Sequence, residues 1–515
     1  DNQEGRGNPD AEVRIMIRVG KRRAWEIEHE TIRKAVPPSS QEEDRSWEMM
    51  AQLEQFQSAQ LRLWWDARVP GSGAPEHLAV AAVQALEDRG MKGEGWAGLI
   101  DAGYAAFEAG DDAELIRIHT KLRAALRGAE KDESSEYWNY RRYGSYDEYL
   151  RDVDFSGYAV AGAGAGQRSG NGDGGAADAV DNAGSGKGAG APVEVESDDF
   201  RDRIYAGWLA QILAGAHGTA LEGYTTDRLR EAFSEVDGYV YPPSTVNDDI
   251  TYELALLKAV EAHGPVLSSR DIASWWNALI PFGWSAEWVA LENIAAGVMP
   301  PESGRVGNPF SEWIGAQMRG AVCGMLAPAD PREASRLAWM DGEISHEANG
   351  ILGEIFNALL VSLAFVRGDV RPLVREAAAL IPGGSEYRSV LDFALEQCEG
   401  NDMWEPAWRS CEEKYARYNW VHAYPNAAAE VIALWFGDGD FEETLHIVSM
   451  EGQDVDCNAA QIMTVLGVMG GSTSIPEKWS RPIGDRLHTY VRSMKEMRIS
   501  DLSEWTVEMA LKLRG

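Results

Sequence analysis

Apolar residues recur three and four positions apart through most of the chain after residue 199. This spacing places apolar side chains along one face of an α-helix. Alternating apolar and polar positions, which are typical of half-buried strands, are nearly absent from this part of the sequence. The pattern therefore predicts an all-α fold, built as one large helical bundle. The predicted helices lie within residues 202–223, 248–264, 330–345, 349–369, 369–382, 424–437 and 456–471.

The first 158 residues show the same pattern over a shorter length and predict a smaller, mostly helical N-terminal domain. Its predicted helices lie within residues 46–65, 75–90 and 113–128. The segment 13–19, VRIMIRV, alternates and predicts a single strand. Aromatic residues interleave with Arg141 and Arg142 in the segment 136–150. That segment either packs within the helical subdomain or forms a surface for a ligand or a protein partner.

Residues 159–198 are dominated by glycine and alanine and contain no large apolar side chain that would anchor a core. Such a composition predicts a flexible linker. At 515 residues the chain also exceeds the length of one ordinary domain. The sequence therefore predicts three parts: an N-terminal domain of unknown role over 1–158, the linker, and a helical domain over 199–515.

The charge of the chain is strongly acidic. It has 82 acidic and 48 basic residues, which gives a formal net charge of −34. Binding to the backbone of a nucleic acid requires a basic surface, so this class of function is not expected. The simplest consequence of the charge is solubility.

Two further features bear on location. The longest apolar stretch, 358–366, is far shorter than the ~18 residues that a membrane span needs. The four cysteines, Cys323, Cys398, Cys411 and Cys457, show neither a disulfide framework nor the spacing of a zinc site. We therefore expect no membrane association and a reduced, cytoplasmic location.

Two acidic clusters stand at the starts of apolar helices. Asn247, Asp248 and Asp249 precede the helix ITYELALL, and Asp454 and Asp456 precede the helix NAAQIMTVLGVMGG. Taken singly, each cluster has a structural explanation. Asp and Asn accept hydrogen bonds from free N–H groups at helix starts and interact favourably with the helix dipole.

Taken together, the clusters indicate a metal centre. The second helix is apolar on every side, so its first turn is expected inside the protein. Four interior carboxylates cannot stay ionised without cations. Asp and Asn oxygens suit Mg²⁺ or Mn²⁺. Two such ions would orient vicinal hydroxyls and activate a water molecule. The sequence leaves open whether the two clusters meet.

The chain resembles the ADP-ribosylglycohydrolase family, in particular proteins of the dinitrogenase reductase-activating glycohydrolase type. The resemblance extends over about residues 202–471 and rests on six stretches in the family's order. These are GAHGTALEG, NDDIT, PPESGRVGNPFSEWIGAQMRG, ISHEANGILGEIFNALL, HAYPNAAAEVIALWFGDGDFEETL and GQDVDCNAAQIMTVLGVMGG. It implies an all-helical fold, two Mg²⁺ or Mn²⁺ ions, and hydrolysis of the bond between ADP-ribose and a protein side chain or a similar acceptor.

The resemblance also implies which residues hold the ions. The implied metal ligands are Asn247, Asp248, Asp249, Asp454, Asp456 and Cys457. The family's first motif is usually Thr-Asp-Asp-Thr, so Asn247 and Ile250 replace its two threonines. Its second motif is usually Asp-x-Asp-Thr, and Cys457 stands where the threonine hydroxyl often sits. Ala216 stands where many relatives have an aspartate. Metal preference and activity therefore stay open.

Catalytic roles follow from the same resemblance. Asp454 or Asp456 is expected to combine metal binding with activation of water. Glu222 matches an acid near the metals in the family, and it is the candidate general acid or gate. The predicted substrate-binding residues are Gly215, Gly218, His346, Asn349, Gly350 and Asn458. Each of these six also has a structural explanation, such as close helix packing for the glycines and N-capping for Asn458.

Other residues have weaker indications of a place near the site. His422 and Asn426 lie in HAYPNAAAE, and Arg305 would contact a phosphate if its loop faced the substrate. The tryptophans of the segment 275–288 either stack on an adenine ring or belong to the aromatic core.

Three functions remain open from the sequence. The first is a Mg²⁺- or Mn²⁺-dependent hydrolase that cleaves the ribosyl bond of an ADP-ribosylated protein or small acceptor. The second is an N-glycosidase that uses the same metals on another ribosyl substrate, such as a nucleoside. The third is a catalytically altered relative that serves as an ADP-ribose-binding or regulatory module joined to the N-terminal domain.

Overall fold

The computed structural model describes residues 22–36, 46–158 and 193–514. The chain divides into two compact units, residues 1–59 and residues 60–515. The described part of the first unit consists of helix α1 (Ala24–Lys34) and most of α2 (Ser46–Leu63). The predicted strand 13–19 lies outside the described residues.

Four more helices precede residue 158, and two short antiparallel strand pairs accompany them. The helices are α3 (Leu78–Asp88), α4 (Trp96–Ala109), α5 (Asp112–Arg127) and α6 (Tyr146–Asp152). Strand β1 (Ala67–Arg68) pairs with β2 (Pro75–Glu76), and β3 (Met91–Lys92) pairs with β4 (Glu130–Lys131). The helix expected over 75–90 therefore begins only at Leu78, because Pro75 and Glu76 belong to a hairpin.

Seventeen helices follow residue 193, so the all-α prediction is confirmed. They are α7 (Asp198–Gly218), α8 (Thr226–Phe233), α9 (Asp249–His263), α10 (Ser269–Leu279), α11 (Ser285–Ala295), α12 (Glu302–Arg305), α13 (Ala321–Leu326), α14 (Pro331–Gly342), α15 (Asn349–Ala364), α16 (Val370–Ala379), α17 (Glu386–Gly400), α18 (Trp404–Tyr415), α19 (Ala423–Gly437), α20 (Phe441–Glu451), α21 (Val455–Gly470), α22 (Glu477–Ile483) and α23 (Ile499–Arg514). Antiparallel pairs also join β5 (Tyr224–Thr225) to β6 (Gly452–Gln453) and β7 (Leu487–His488) to β8 (Glu496–Met497).

Residues 60–158 pack directly on the later helices. The Tyr137 hydroxyl donates a 2.8 Å hydrogen bond to Glu312, and the Tyr149 hydroxyl donates to the Leu380 carbonyl at 3.0 Å. Arg142 lies 3.4 Å from the Glu347 carboxylate. The aromatic segment 136–150 thus contacts this chain's own helices, and it offers no support for a docking surface for another protein.

The proposed division of the chain stays a prediction. Of the predicted linker 159–198, residues 159–192 lie outside the described residues. The described remainder, 193–198, leads directly into α7.

Helices α7 and α21 form the buried centre of the bundle. Both are buried along most of their length, which agrees with the many apolar and small residues in their sequences. A Cβ atom added at Gly467 of α21 would lie 2.4 Å from the Ala206 carbonyl of α7. Glycine therefore allows the two backbones to approach closely. None of the described helices is long and apolar enough to cross a membrane.

Candidate active site

The two acidic clusters meet. The Asn247 side-chain amide donates a 3.0 Å hydrogen bond to the Asp456 carboxylate. The Cys457 thiol lies 3.2 Å from the Asp249 carboxylate as its hydrogen-bond donor. Residues some two hundred positions apart in the sequence therefore share one site at the starts of α9 and α21.

The carboxylates of this site do not cap their helices. Asp248 and Asp454 occupy the N-cap positions of α9 and α21, yet neither side chain accepts a capping hydrogen bond. Asn247 instead accepts a 2.7 Å hydrogen bond from the Asp249 backbone N–H. Gln453, just before Asp454, has a φ of 67°, a conformation that non-glycine residues rarely adopt.

A short strand pair brings Glu222 to the same place. Strand β5 begins two residues after Glu222, and its partner β6 ends one residue before Asp454. The backbone N–H of Gly223 donates a 2.8 Å hydrogen bond to the Gln453 carbonyl. The candidate acid predicted from the sequence therefore joins the acidic cluster through a strand pairing that no periodicity in the sequence indicates.

These acids line a cleft with a cavity volume of about 200 Å³. Its acidic lining residues are Glu76, Glu222, Asp248, Glu287, Asp454 and Asp456. Among the described residues that line it, none is Lys, Arg or His. The cleft is thus a strongly negative environment without an internal counter-ion at its surface.

Burial and mutual repulsion favour the neutral forms of these acids. Burial, then repulsion from Asp456, raises the pKa of Asp248 to about 7. The same causes raise the pKa values of Asp249 and Asp454 well above their usual range. Burial, followed by Asp456 and Asp454, also raises the pKa of Glu222 well above its usual range. A cation is the natural source of compensation for such a cluster.

The donor set fits a hard divalent cation. Asp249, Asp454 and Asp456 each have one buried carboxylate oxygen without a hydrogen-bond donor among the described residues. One ligand atom each from Asp454, Asp456 and Cys457 lies within 4.8 Å of the others. Oxygen-rich sites of this kind suit Mg²⁺ or Mn²⁺. Burial raises the pKa of the Cys457 thiol well above its usual range, and the thiol is a hydrogen-bond donor to Asp249; its place among the metal ligands stays a prediction.

Comparison with known proteins identifies the family of the chain. The profile of the ADP-ribosylglycohydrolase family matches residues 196–508, more than half of the chain. The chain belongs to the ADP-ribosylglycohydrolase family. A solved structure described as an ADP-ribosylglycohydrolase-related protein complex aligns with a TM-score of 0.41 and 22% identity, covering 62% of this chain and 99% of that chain. No curated protein matches the chain.

Family membership supports a glycohydrolase activity in general.

The predicted substrate-binding residues fall into two groups by their location in the structure. Gly218 lies against the Asp456 backbone, where an added Cβ would be 2.4 Å from the Asp456 N and Cα atoms. An added Cβ at Gly215 would lie 3.4 Å from the Asn247 amide. Asn458 donates a 2.7 Å hydrogen bond to Asn426. These three residues therefore contact residues of the two acidic clusters or the asparagine that bonds to one of them.

The other three predicted substrate-binding residues, like the first three, do not line the cleft. His346 is buried beside Ser345, whose hydroxyl is 2.7 Å from its Nδ1 atom. The Asn349 amide donates to Glu312 at 3.1 Å, and a Cβ at Gly350 would lie 2.4 Å from the Ser311 carbonyl. Their role in substrate binding stays a prediction. Arg305 likewise contacts the Gly144 carbonyl, at 3.0 Å, and does not line the cleft.

Sequence reasoning missed the acid Glu287. Its carboxylate lines the cleft and accepts a 2.9 Å hydrogen bond from the buried Arg319. Arg319 also binds Asp341 and lies 4.8 Å from the centre of the Trp276 ring. The arginine therefore supplies positive charge behind the cleft wall. The only signal of this network is the burial of Arg319, and burial becomes known only from the folded structure.

One wall of the cleft is aromatic, and the sequence indicated only part of it. Of the four tryptophans in the segment 275–288, only Trp284 lines the cleft, and Trp276 and Trp288 are buried in the core. Phe282 and Tyr490 also line it and stack on each other, with ring centres 4.8 Å apart. These rings offer flat apolar surfaces beside the acids.

Asn426 is a positioning residue for the acids. Its side-chain oxygen accepts hydrogen bonds from the Asp454 backbone N–H at 3.1 Å and from Asn458 at 2.7 Å. We expect Asn426→Ala to weaken Mg²⁺ binding by about 10- to 100-fold, because partners that orient metal ligands typically contribute that much. Isothermal titration with Mg²⁺ measures the effect. An unchanged affinity in a folded variant would contradict this role.

The stability of the metal-free protein should fall as pH rises. The folded state binds more protons than the unfolded state, because its buried acids have raised pKa values. Stability is therefore lost from about pH 4, where the unfolded acids ionise, to about pH 7, the pKa of Asp248. Melting temperatures in a chelator should drop over this range, and Mg²⁺ should stabilise more at pH 8 than at pH 5. A Mg²⁺ effect independent of pH would contradict the assignment.

Proposed function

We propose that this protein is a divalent-cation-dependent hydrolase that cleaves the ribosyl glycosidic bond of an ADP-ribosylated protein or small acceptor. The observation that carries the proposal is that the two acidic clusters meet at the starts of α9 and α21: Asp248, Asp454 and Asp456 line one cleft, and Asp249 lies behind it as the partner of Cys457. Membership of a glycohydrolase family supports the reaction type. The unpaired, buried cysteines are in keeping with a cytoplasmic location.

We further propose that two Mg²⁺ or Mn²⁺ ions are the cofactors. Asn247, Asp248, Asp249, Asp454 and Asp456 would hold them through oxygen atoms. When bound, such ions neutralise the carboxylates, orient the ribose hydroxyls and lower the pKa of a bound water. The unpaired carboxylate oxygens at the starts of α9 and α21 support this assignment.

Glu222 is the proposed proton donor. Burial and repulsion from Asp456 and Asp454 raise its pKa and so favour the protonated carboxyl group, and the leaving group needs that proton when the glycosidic bond breaks. Asp454 or Asp456 is the proposed base that takes a proton from the attacking water. The acidic lining of the cleft stabilises the positive charge that develops at the anomeric carbon.

The aromatic wall is the proposed binding surface for a flat ring of the substrate. Trp284 and the stacked pair Phe282 and Tyr490 line the same cleft as Asp248. A heteroaromatic base stacks favourably on such rings. This arrangement would place a ribose next to the acids and its base against the wall.

The size of the cleft favours a second candidate, an N-glycosidase acting on a nucleoside-like substrate. Its volume of about 200 Å³ is below the roughly 300–1,000 Å³ that is usual for ligand pockets. A nucleoside fills less space than an ADP-ribosyl group.

A thermal-shift series separates these functions from a binding-only relative. The protein is heated with Mg²⁺ or Mn²⁺ alone and with added ADP-ribose or simple nucleosides. Stabilisation by ADP-ribose that requires the metal supports the proposed hydrolase, and stabilisation by a nucleoside alone supports the N-glycosidase. If none of these ligands stabilises the protein, it is neither the proposed hydrolase nor the N-glycosidase. If ADP-ribose stabilises the protein but is not released by hydrolysis, the protein is a binding-only relative. The loss of activity would then be attributed to Ile250 and Cys457, which replace threonines of the family motifs.

A further inference from the structure

A hairpin from outside the family match reaches the cleft. Strands β1 and β2 and the turn between them span residues 67–76, whereas the family profile begins at residue 196. Val69, Pro70 and Glu76 of this hairpin line the cleft beside the acids. Part of the cleft wall is thus made by a segment that the family profile does not include.

The turn of the hairpin lies on the segment that carries Glu222. A Cβ atom added at Gly71 would lie 2.3 Å from the Thr219 Cγ2 atom and 2.9 Å from the Thr219 carbonyl oxygen. The Tyr224 hydroxyl donates a 3.0 Å hydrogen bond to the Ser72 carbonyl. An added Cβ at Gly223 would lie 2.5 Å from the Ala74 Cβ atom. These contacts hold the chain on both sides of Glu222.

The hairpin is itself fastened to the core. The Val69 N–H donates to the Ala74 carbonyl, and the Gly73 N–H donates to the Val69 carbonyl, each at 2.9 Å. The preceding residues, Trp64 and Trp65, are buried. Because two internal hydrogen bonds and the buried residues before it make the turn rigid, a shift of the turn would displace the residues that it contacts.

We propose that the hairpin 67–76 is a positioning element of the active site, which acts by holding Glu222 at its place beside Asp454 and Asp456. This inference rests on the proposed function, in which Glu222 transfers the proton. Its consequence is that residues 60–158 take part in the reaction through this contact, although they lie outside the family match.

Two glycines of the turn provide a matched test. Gly71 and Gly73 both have positive φ angles, of 98° and 72°, so alanine strains the backbone at either position. Only Gly71 is packed against Thr219, because an added Cβ at Gly73 meets nothing within 4 Å. Gly71→Ala must therefore displace the Thr219 segment, and Gly73→Ala serves as the control for strain alone.

Hydrogen exchange of the segment 219–224 is the first measurement. The N–H groups of Leu221 and Glu222 donate to the Gly218 carbonyl at 2.7 and 3.1 Å, so they are expected to exchange slowly. Gly71→Ala should speed their exchange by about tenfold or more, and by clearly more than Gly73→Ala, which strains the turn without a contact to Thr219. Unchanged exchange in Gly71→Ala would overturn the proposal. This readout needs no activity, so it stands or falls separately from the proposed function.

Activity in a double-mutant cycle is the second measurement. Gly71→Ala should lower kcat by about 10- to 100-fold when Glu222 is present, because small misplacement of a reacting group is costly. In the Glu222→Gln background it should add little further loss. Equal losses in both backgrounds would mean that the hairpin acts without Glu222, and this would overturn the proposal. Should Gly71→Ala fail to fold, Tyr224→Phe removes the bond to Ser72 and enters the same two measurements.

Discussion

Asp456→Asn is expected to lower metal-dependent hydrolysis by about a thousandfold or more. Asp456 accepts the Asn247 hydrogen bond and has one further buried oxygen free to bind a cation. Asparagine keeps the size of the side chain but removes its charge. A metal ion contributes several kcal/mol to a transition state, and about 4 kcal/mol corresponds to three powers of ten in rate. Steady-state kinetics across a range of Mg²⁺ concentrations measures the loss.

Glu451→Gln is the matched control for Asp456→Asn. Glu451 is also a buried acid, and burial raises its pKa well above its usual range, but it does not line the cleft. We expect this variant to keep its activity and its dependence on Mg²⁺. If Asp456→Asn retained full hydrolysis, or if both variants lost it equally, the acids at the start of α21 would not be the reaction centre.

The second large effect is expected from Gly218→Ala. The new methyl group would lie 2.4 Å from the Asp456 backbone, and helices α7 and α21 would have to separate. Overpacking of this kind costs about 1–3 kcal/mol of the free energy of unfolding. The separation would also move Asp456 away from Asn247, so Mg²⁺ binding should weaken as well. Denaturant unfolding and Mg²⁺ titration measure the two effects.

Gly215→Ala, one turn earlier in α7, is the control for stability. The nearest atom to its new methyl group, the Asn247 amide nitrogen, would be 3.4 Å away, which is an ordinary contact. Alanine is favoured over glycine inside a helix by about 1 kcal/mol, so this variant should be as stable as the wild type or slightly more stable. Similar destabilisation of both variants would show that close approach at Gly218 is not the cause.

Much of the fold could be predicted from the pattern of the chain. The helices predicted over 330–345, 424–437 and 456–471 correspond to α14, α19 and α21, and the helix predicted over 202–223 overlaps α7, which begins at Asp198 and ends at Gly218. They could be predicted because helix periodicity is a local property of the sequence. The start of α3 was misplaced because the pairing of Pro75 and Glu76 with residues 67–68 depends on a partner strand.

Less of the candidate site could be predicted. The acids at the two helix starts were expected to bind metal because their helices are too apolar for their first turns to lie in solvent. The hydrogen bond of Asn426 to the Asp454 backbone had no clear signal, since an isolated asparagine is compatible with many positions. Glu287, Arg319 and the hairpin 67–76 had none, because each reaches the cleft through tertiary packing.

The sequence by itself determined the helical class, the family and the identity of the acids, because these depend on local spacing and on motifs of a few residues. Only the tertiary structure decided that Asp249 and Asp456 share a site, that Glu222 joins them through β5 and β6, and that His346 is buried behind the cleft wall, 3.8 Å from Glu287. The physical reason is that a side chain's chemistry depends on its neighbours in space. Those neighbours come from segments hundreds of residues apart, which no local pattern relates.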